Sequence, residues 1–248
     1  MILSPARDRL CLPSLAALLL LAHGRLLAQA VTVTVHVTLD PPPGKARKAD
    51  NSGAVVWLNP LDEGARSVPA KAPGGPFRLV QKNKRFTPHL LAITVGATVD
   101  FPNYDPIFHN AFSNYDGQIF DVGLYPPGTS KSILFRKEGV VRIFCNIHPA
   151  MSAVIVVLKS PYFSTSAKNG AFTITDVPPG SYRLHVFHER ATQKTLDGLT
   201  RNVDVSSGVV NLTKISVSES GYLLLPHKNK YGKDYPPTDS GTYSGLKP

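Results

Sequence analysis

An all-β sandwich fold is what the sequence predicts, and three observations predict it. Apolar β-branched and aromatic residues alternate with polar ones over short runs. Clusters of Pro and Gly separate those runs at close intervals. No stretch sustains the periodicity of an amphipathic helix. Many short strands between Pro/Gly turns pack as face-to-face sheets.

The chain opens with Arg7 and Arg9, an apolar run "LAALLLLA" from Leu15 to Ala22, and small residues at Ala28 to Ala30. This is the order of a secretory signal peptide, and the run is far short of the roughly 20 residues that span a bilayer. Cleavage is expected after Ala30, so residues 1–30 are removed and the product is periplasmic or secreted. No second long apolar segment follows, so no transmembrane segment is expected. "VTVTVHV" then places Val31, Val33, Val35 and Val37 on one face and Thr32, Thr34 and His36 on the other. Further strands are expected at "GAVVWLNP", "ITVGATVDF", "VVRIFC", "AVIVVL", "AFTI" and "YRLHVF". "PPPG", "PGGP", "YPPGTS", "KNG" and "VPPGS" mark the turns between strands. Residues 40–53 and 61–76 read as long loops. Beyond Leu225 aliphatic residues almost vanish, and 222–248 read as a basic, Tyr/Pro-containing tail, mobile or wrapped on the surface.

The formal charge is +10, and the leader carries Arg7, Arg9, Arg25 and Asp8, a net +2, so the exported chain keeps +8. Basic residues are not interleaved with stacking aromatics, which argues against nucleic acid as a partner. The charge serves solubility or attracts an acidic partner.

Cleavage would remove Cys11 and leave Cys145 alone. An unpaired cysteine in an oxidising compartment needs a reason. Its neighbours supply one. "FCNIHPAM" sets Cys145, His148 and Met151 at the spacing C-x2-H-x2-M. Thiolate, imidazole and thioether together suit copper better than zinc, because a thioether is a poor zinc ligand. Two histidines and a cysteine around a metal, with a long axial methionine, mark electron-transfer copper. The second histidine must come from elsewhere. His109, in "FPNYDPIFHNAF", follows an expected strand and lies 36 residues before Cys145. His36, His89, His185, His188 and His227 fit less well: His36 is on a polar strand face, and His227 is in the tail.

At these residues the chain resembles the cupredoxins, the blue-copper family of plastocyanin and amicyanin. "VGATVDFPN" resembles the approach to the first ligand loop, "FHN" the "PHN" of the first histidine, and "YPPGTSKSILFRKEGVVRIFCNIHPAM" the strand pair ending in the ligand loop. The short spacing with Pro149 after the histidine is nearest to amicyanin. The resemblance implies a Greek-key cupredoxin sandwich over residues 76–160 holding one type 1 copper. Its ligands would be His109, Cys145 and His148, with Met151 axial. It implies that Asn110 ties the two ligand loops together, while Asn146 stands where the family often has a small hydroxyl residue. With every position around the metal filled and no "HxH" pair in the chain, an oxidase is not expected. His148 should lie nearest the surface, ringed by Pro106, Ile107, Ile147 and Pro149 as a docking patch for a redox partner protein.

"NGAFTITDVPPGSYRLHVFHE" resembles the carboxypeptidase regulatory-like, transthyretin-type sandwich. Its first strands would come from residues 31–75 and the remainder from 161–221, with the copper domain inserted between. One core is then expected from Val35, Val37, Val56, Leu58, Phe172, Ile174, Leu184 and Val186. The expected function is an exported carrier of single electrons and not an enzyme. The alternatives are a non-redox envelope binding module, for protein or glycan, with structural copper, and a copper-handling protein. One methionine in the exported chain weighs against handling, and one tryptophan, Trp57, against glycan binding.

Overall fold

The computed structural model describes residues 31–46, 49–62, 75–114, 117–206, 208–223 and 227–235. The expected signal peptide, 1–30, and its cleavage point lie outside the described residues, as do most of the 61–76 loop and the end of the tail. Two strands come first, β1 (Val31–Asp40) and β2 (Ala54–Pro60). The next group runs β3 (Phe77–Arg78), β4 (Val80–Lys82), β5 (Arg85–Thr87), β6 (Leu90–Thr94) and β7 (Thr98–Pro102). It continues with β8 (Phe112–Ser113), β9 (Phe120–Asp121), β10 (Ser130–Leu134), β11 (Gly139–Phe144) and β12 (Ser152–Leu158). After it come β13 (Phe163–Thr165), β14 (Ala171–Val177), β15 (Gly180–His188), helix α1 (Gln193–Leu199), β16 (Arg201–Val205), β17 (Val209–Asn211) and β18 (Ile215–Ser218).

The described residues are all-β, as the alternation predicts, apart from one short helix. Among the described residues four sheets lie in layers. The first has the order β14–β1–β17, with β18 also on β1, and the second β13–β2–β15–β16. The third is β6–β12–β11–β8–β9 and the fourth β10–β7–β3, with β4–β5 as a separate hairpin. Three apolar cores separate the layers. The outer one joins Val35 and Val37 of β1 to Val56 and Leu58 of β2, Phe172 and Ile174 of β14, and Leu184 and Val186 of β15. Residues before and after the β3–β12 segment thus fill a single core. Val37 N–H also donates to the Gly170 carbonyl, 2.7 Å. Gly170 has φ +83, and a Cβ there would meet the Val37 oxygen at 2.0 Å, so "NGAF" needs its glycine.

The middle core explains two strands that did not alternate. Val55 on β2, Phe187 on β15 and Leu196 on α1 pack against Ala92 of β6 and Val154, Val156 and Leu158 of β12. The other face of β12, Ala153, Ile155 and Val157, fills a third core with Val99, Phe101, Phe135 and Ile143. "AVVWL" and "AVIVVL" are apolar throughout because both faces of each strand are covered. Burying one such side chain contributes roughly 1.5–3 kcal/mol, so the two sandwiches share a true core and not a passing contact. Trp57 faces this junction and stacks on His185, ring centroids 5.0 Å apart. Charge is added at its edge, where Glu189 at the end of β15 meets His89 Nε2 at 2.6 Å and Arg142 at 3.6 Å.

The helix was not legible. Thr192 caps it, accepting from the Thr195 N–H at 3.2 Å, but Leu196 is its one buried residue. Seven residues with a single buried position carry no period.

Candidate metal centre

The two candidate loops leave the same end of the third and fourth sheets. Strand β7 ends at Pro102, and the chain turns back through a loop that reaches His109. Asn103 shapes that loop: its amide donates to the Ile107 carbonyl, 2.8 Å, and its Oδ1 accepts from the Asp105 N–H, 3.0 Å. The His109 backbone is pinned on both sides to Tyr125, by N–H to carbonyl bonds of 3.2 and 2.9 Å. Strand β11 pairs with β12 as far as Phe144–Ser152, which brings Cys145 and Met151 to the mouth of a tight loop. The Cys145 N–H donates to the Met151 carbonyl, 3.2 Å, and the Met151 N–H to the His148 carbonyl, 3.0 Å.

His109, Cys145 and His148 come together. His109 Nδ1 lies 3.9 Å and His148 Nδ1 3.7 Å from the Cys145 sulfur, and the two imidazoles meet edge to face at 4.9 Å. Among the described residues this is the one group of three metal-ligating side chains of this kind, all within 4.8 Å. His109, Cys145 and Met151 are fully buried, and His148 is half-buried. Met151 shares the third core with Cys145. The donors fit a trigonal ion. With bonds of about 2.0 Å to nitrogen and 2.3 Å to sulfur, as for zinc, three donors in a plane need N···S separations of about 3.7 Å, close to the observed 3.7 and 3.9 Å.

The electrostatics point the same way. Burial alone would push the Cys145 thiol up. Hydrogen bonds from His109 and His148, and from the backbone N–H groups of Ile147 and Asn110, outweigh it and lower the pKa to about 6. A thiolate at neutral pH is the form that binds metal. Burial opposes the charged form of His109, yet the sulfur on one side and Asp105 on the other raise its pKa.

Asp105 was missed in the sequence. It is buried, four residues before His109, and its Oδ2 accepts from His109 Nε2 at 2.7 Å. The backbone N–H groups of Asn83 and Lys84 donate to the same carboxylate at 2.6 and 2.8 Å. Those two residues have φ +55 and +54 and form the two-residue turn of the β4–β5 hairpin. Desolvation pushes the Asp105 pKa up, and these donors more than reverse it. A carboxylate on the far nitrogen fixes which nitrogen faces the sulfur and orients the ring. An acid four residues before a candidate ligand was the available signal.

Asn110 lies between the loops. Its Oδ1 accepts from the Asn146 N–H at 3.3 Å, and its amide donates to Asp121 at 2.7 Å and to the Gly123 carbonyl at 2.9 Å. The Asn146 side chain turns outward and accepts from the Lys230 N–H, 3.0 Å. Of the expected docking residues, Pro106 is exposed and Ile107, Ile147 and Pro149 are half-buried. Tyr104 and Phe108, on the first loop, are more exposed than any of these but Pro106 and were not foreseen as part of the patch. His36 is exposed, and His89 and His188 face Glu189 and Glu219 instead of the sulfur.

Residues 150–211 match the protein-family profile described as Polysaccharide lyase family 4, domain II. The match overlaps residues 161–221, the stretch expected to complete a regulatory-like sandwich, and carries a different description. Among curated proteins, the "Methylamine utilization protein MauL" of Methylorubrum extorquens is 37% identical over 60 residues, 24% of this chain and 53% of that protein. The chain spans about half the length of that relative. Solved structures similar to it include a purple cupredoxin from Nitrosopumilus maritimus, 24% identical, covering 34% of this chain and 100% of the other at a TM-score of 0.31. A copper-containing nitrite reductase from Thermus scotoductus is 29% identical over 41% of this chain and 27% of its own, TM-score 0.33. A mutant amicyanin in its Cu(I) form is 18% identical over 42% and 98%, TM-score 0.32. Among the described residues no helix is long and apolar enough to cross a membrane.

Proposed function

We propose that the chain is an exported blue-copper protein that carries single electrons between partners. The observation that carries this reading is the buried His109–Cys145–His148 set, spaced for a trigonal ion, with Met151 beside it in the same core. The sequence resemblance to cupredoxins and the 60-residue similarity to MauL support it. Copper bound there supplies one-electron chemistry. The residues supply the rest. Cys145 is held as a thiolate, Asp105 fixes the His109 ring, and the loop backbone is tied to itself and to Asn110. Little need move when the charge of the site changes. The half-buried His148, with Pro106, Ile107, Ile147 and Pro149 around it, gives a partner its point of approach, and the basic charge favours an acidic one. Such a protein passes electrons and catalyses no reaction of its own.

Copper-loaded, oxidised protein should show an intense thiolate-to-copper absorption band. Cys145→Ser should abolish it, while Met151→Leu should keep a coloured site with a shifted potential. A colourless protein that takes zinc in preference to copper refutes the reading.

A further inference from the structure

Buried backbone groups need partners, and the loop from Cys145 to Met151 does not find all of its own within the sandwich. The Cys145 N–H and Met151 N–H are satisfied inside the loop. The Cys145 carbonyl instead accepts from the Tyr235 hydroxyl, 2.7 Å, and the Pro149 carbonyl from His227 Nε2, 2.6 Å. Both donors lie near the end of the chain, about 80 to 90 residues after the carbonyls they serve. The His227 ring also lies on Phe144, centroids 4.1 Å apart and nearly parallel, and meets the Tyr235 ring at 5.2 Å. Lys230 adds a bond from its N–H to Asn146 and one from Nζ to Asp121, 2.8 Å. A tail that only lay on the surface would make scattered polar contacts. This one meets the strand end before Cys145, the cysteine carbonyl, Asn146 and the proline after His148.

We propose that residues 227–235 are a clasp that positions the Cys145–Met151 loop, with Tyr235 and His227 as its positioning residues. The contacts stand by themselves; the inference rests on the copper reading only for calling the loop a ligand loop. The clasp holds the loop closed over the sulfur before any metal binds. Its removal lets the loop open without disturbing the sheets, because none of its bonds reaches a strand interior. Phe144 is the last residue of β11.

The test uses the exported chain from Val31, whose one cysteine is Cys145, with Tyr235→Phe and His227→Ala separately. Tyr235→Phe keeps the ring and removes one donor. In metal-free protein at neutral pH, the rate of Cys145 alkylation by iodoacetamide should rise about fivefold to tenfold in each variant, the change in opening that loss of one buried hydrogen bond gives. The thermal midpoint should fall by only about 2–5 °C, the shift that one lost bond gives in a chain of this size. In copper-loaded protein the absorption band of the Tyr235→Phe variant should shift, and a chelator should strip the metal faster. Parental alkylation rates in both variants overturn the clasp. So does acceleration that merely tracks a fall in global stability. Alkylation is read without metal, so a protein that proved not to bind copper would leave this result standing on its own.

Discussion

The Cys145 thiol of the metal-free protein should ionise near pH 6. The perturbation is the removal of metal, followed by a pH titration of the ultraviolet absorbance of the thiolate. The fall from the ordinary 9.0 to about 6 corresponds to roughly 4 kcal/mol between the two charge states. Burial works against it, so the hydrogen bonds from His109, His148 and two backbone N–H groups must supply more than that. His109→Ala and His148→Ala should each raise the thiol by about one to two units, the worth of one charge-assisted bond. Folding stability follows. Between about pH 6 and 9 the unfolded chain holds a proton that the folded chain has lost, so the thiol's contribution grows as pH rises and is complete above the unfolded value. As pH falls through 6 it disappears. His109 acts with the opposite sign. Its pKa is raised, so its contribution is full below 6.5 and fades as pH climbs. Just above pH 6.5 the two slopes oppose each other, so the stability of metal-free protein should change less steeply there than the thiol alone would make it. A wild-type thiol that titrates at 8.5 or above in the folded state would refute the reasoning.

Asp105→Asn is nearly isosteric but sets an amide NH2 against backbone N–H donors. It should cost about 2–4 kcal/mol at pH 7, and the cost should vanish as pH falls well below 3.8, because the folded carboxyl is lowered and its contribution is lost there. Denaturant titration at the two pH values tests this, and equal stability at pH 7 would sink it. Gly170→Ala should lose more than about 2 kcal/mol, since its Cβ meets backbone at 2.0 Å, whereas Gly96→Ala, at φ +90 in open space, should lose about 1 kcal/mol. Equal losses would show that the close approach to Val37 does not matter. Replacing residues 76–160 with a short Gly/Ser linker should leave a folded, metal-free β-domain by circular dichroism. Its melting point should fall because Val55, Phe187 and Leu196 are uncovered; an unfolded product would show that the outer core cannot stand alone.

What the sequence made legible is what periodicity and donor spacing encode. The alternating valines of β1 and the C-x2-H-x2-M stretch are local patterns and needed no structure. His109 was found because its type was missing from a set and a strand preceded it. Asp105 was not, since one acid in a loop looks like any other until its partners Asn83 and Lys84 are seen to arrive from a separate hairpin. Tyr235 and His227 were hidden for the same reason. A segment poor in aliphatic residues reads as tail, and its side chains act on carbonyl groups, which no sequence pattern marks. The pairing of β1 with β17 and β18 runs parallel, and parallel neighbours carry no turn between them to announce the register.

The four-layer stack decides how the ligand loop can meet other molecules. The chain passes from β2 into the third and fourth sheets and returns to β13 through only four residues, where Ser160 and Tyr162 are bonded back to Leu58. A module joined at two points and fused through a common interior cannot swivel as a bead on one flexible tether does. The loop therefore keeps a constant heading relative to the β1 sheet. Contact with another molecule is made by tumbling the whole particle, and the far sheet travels with it as a rigid handle whose bulk sets which crevices the loop can enter.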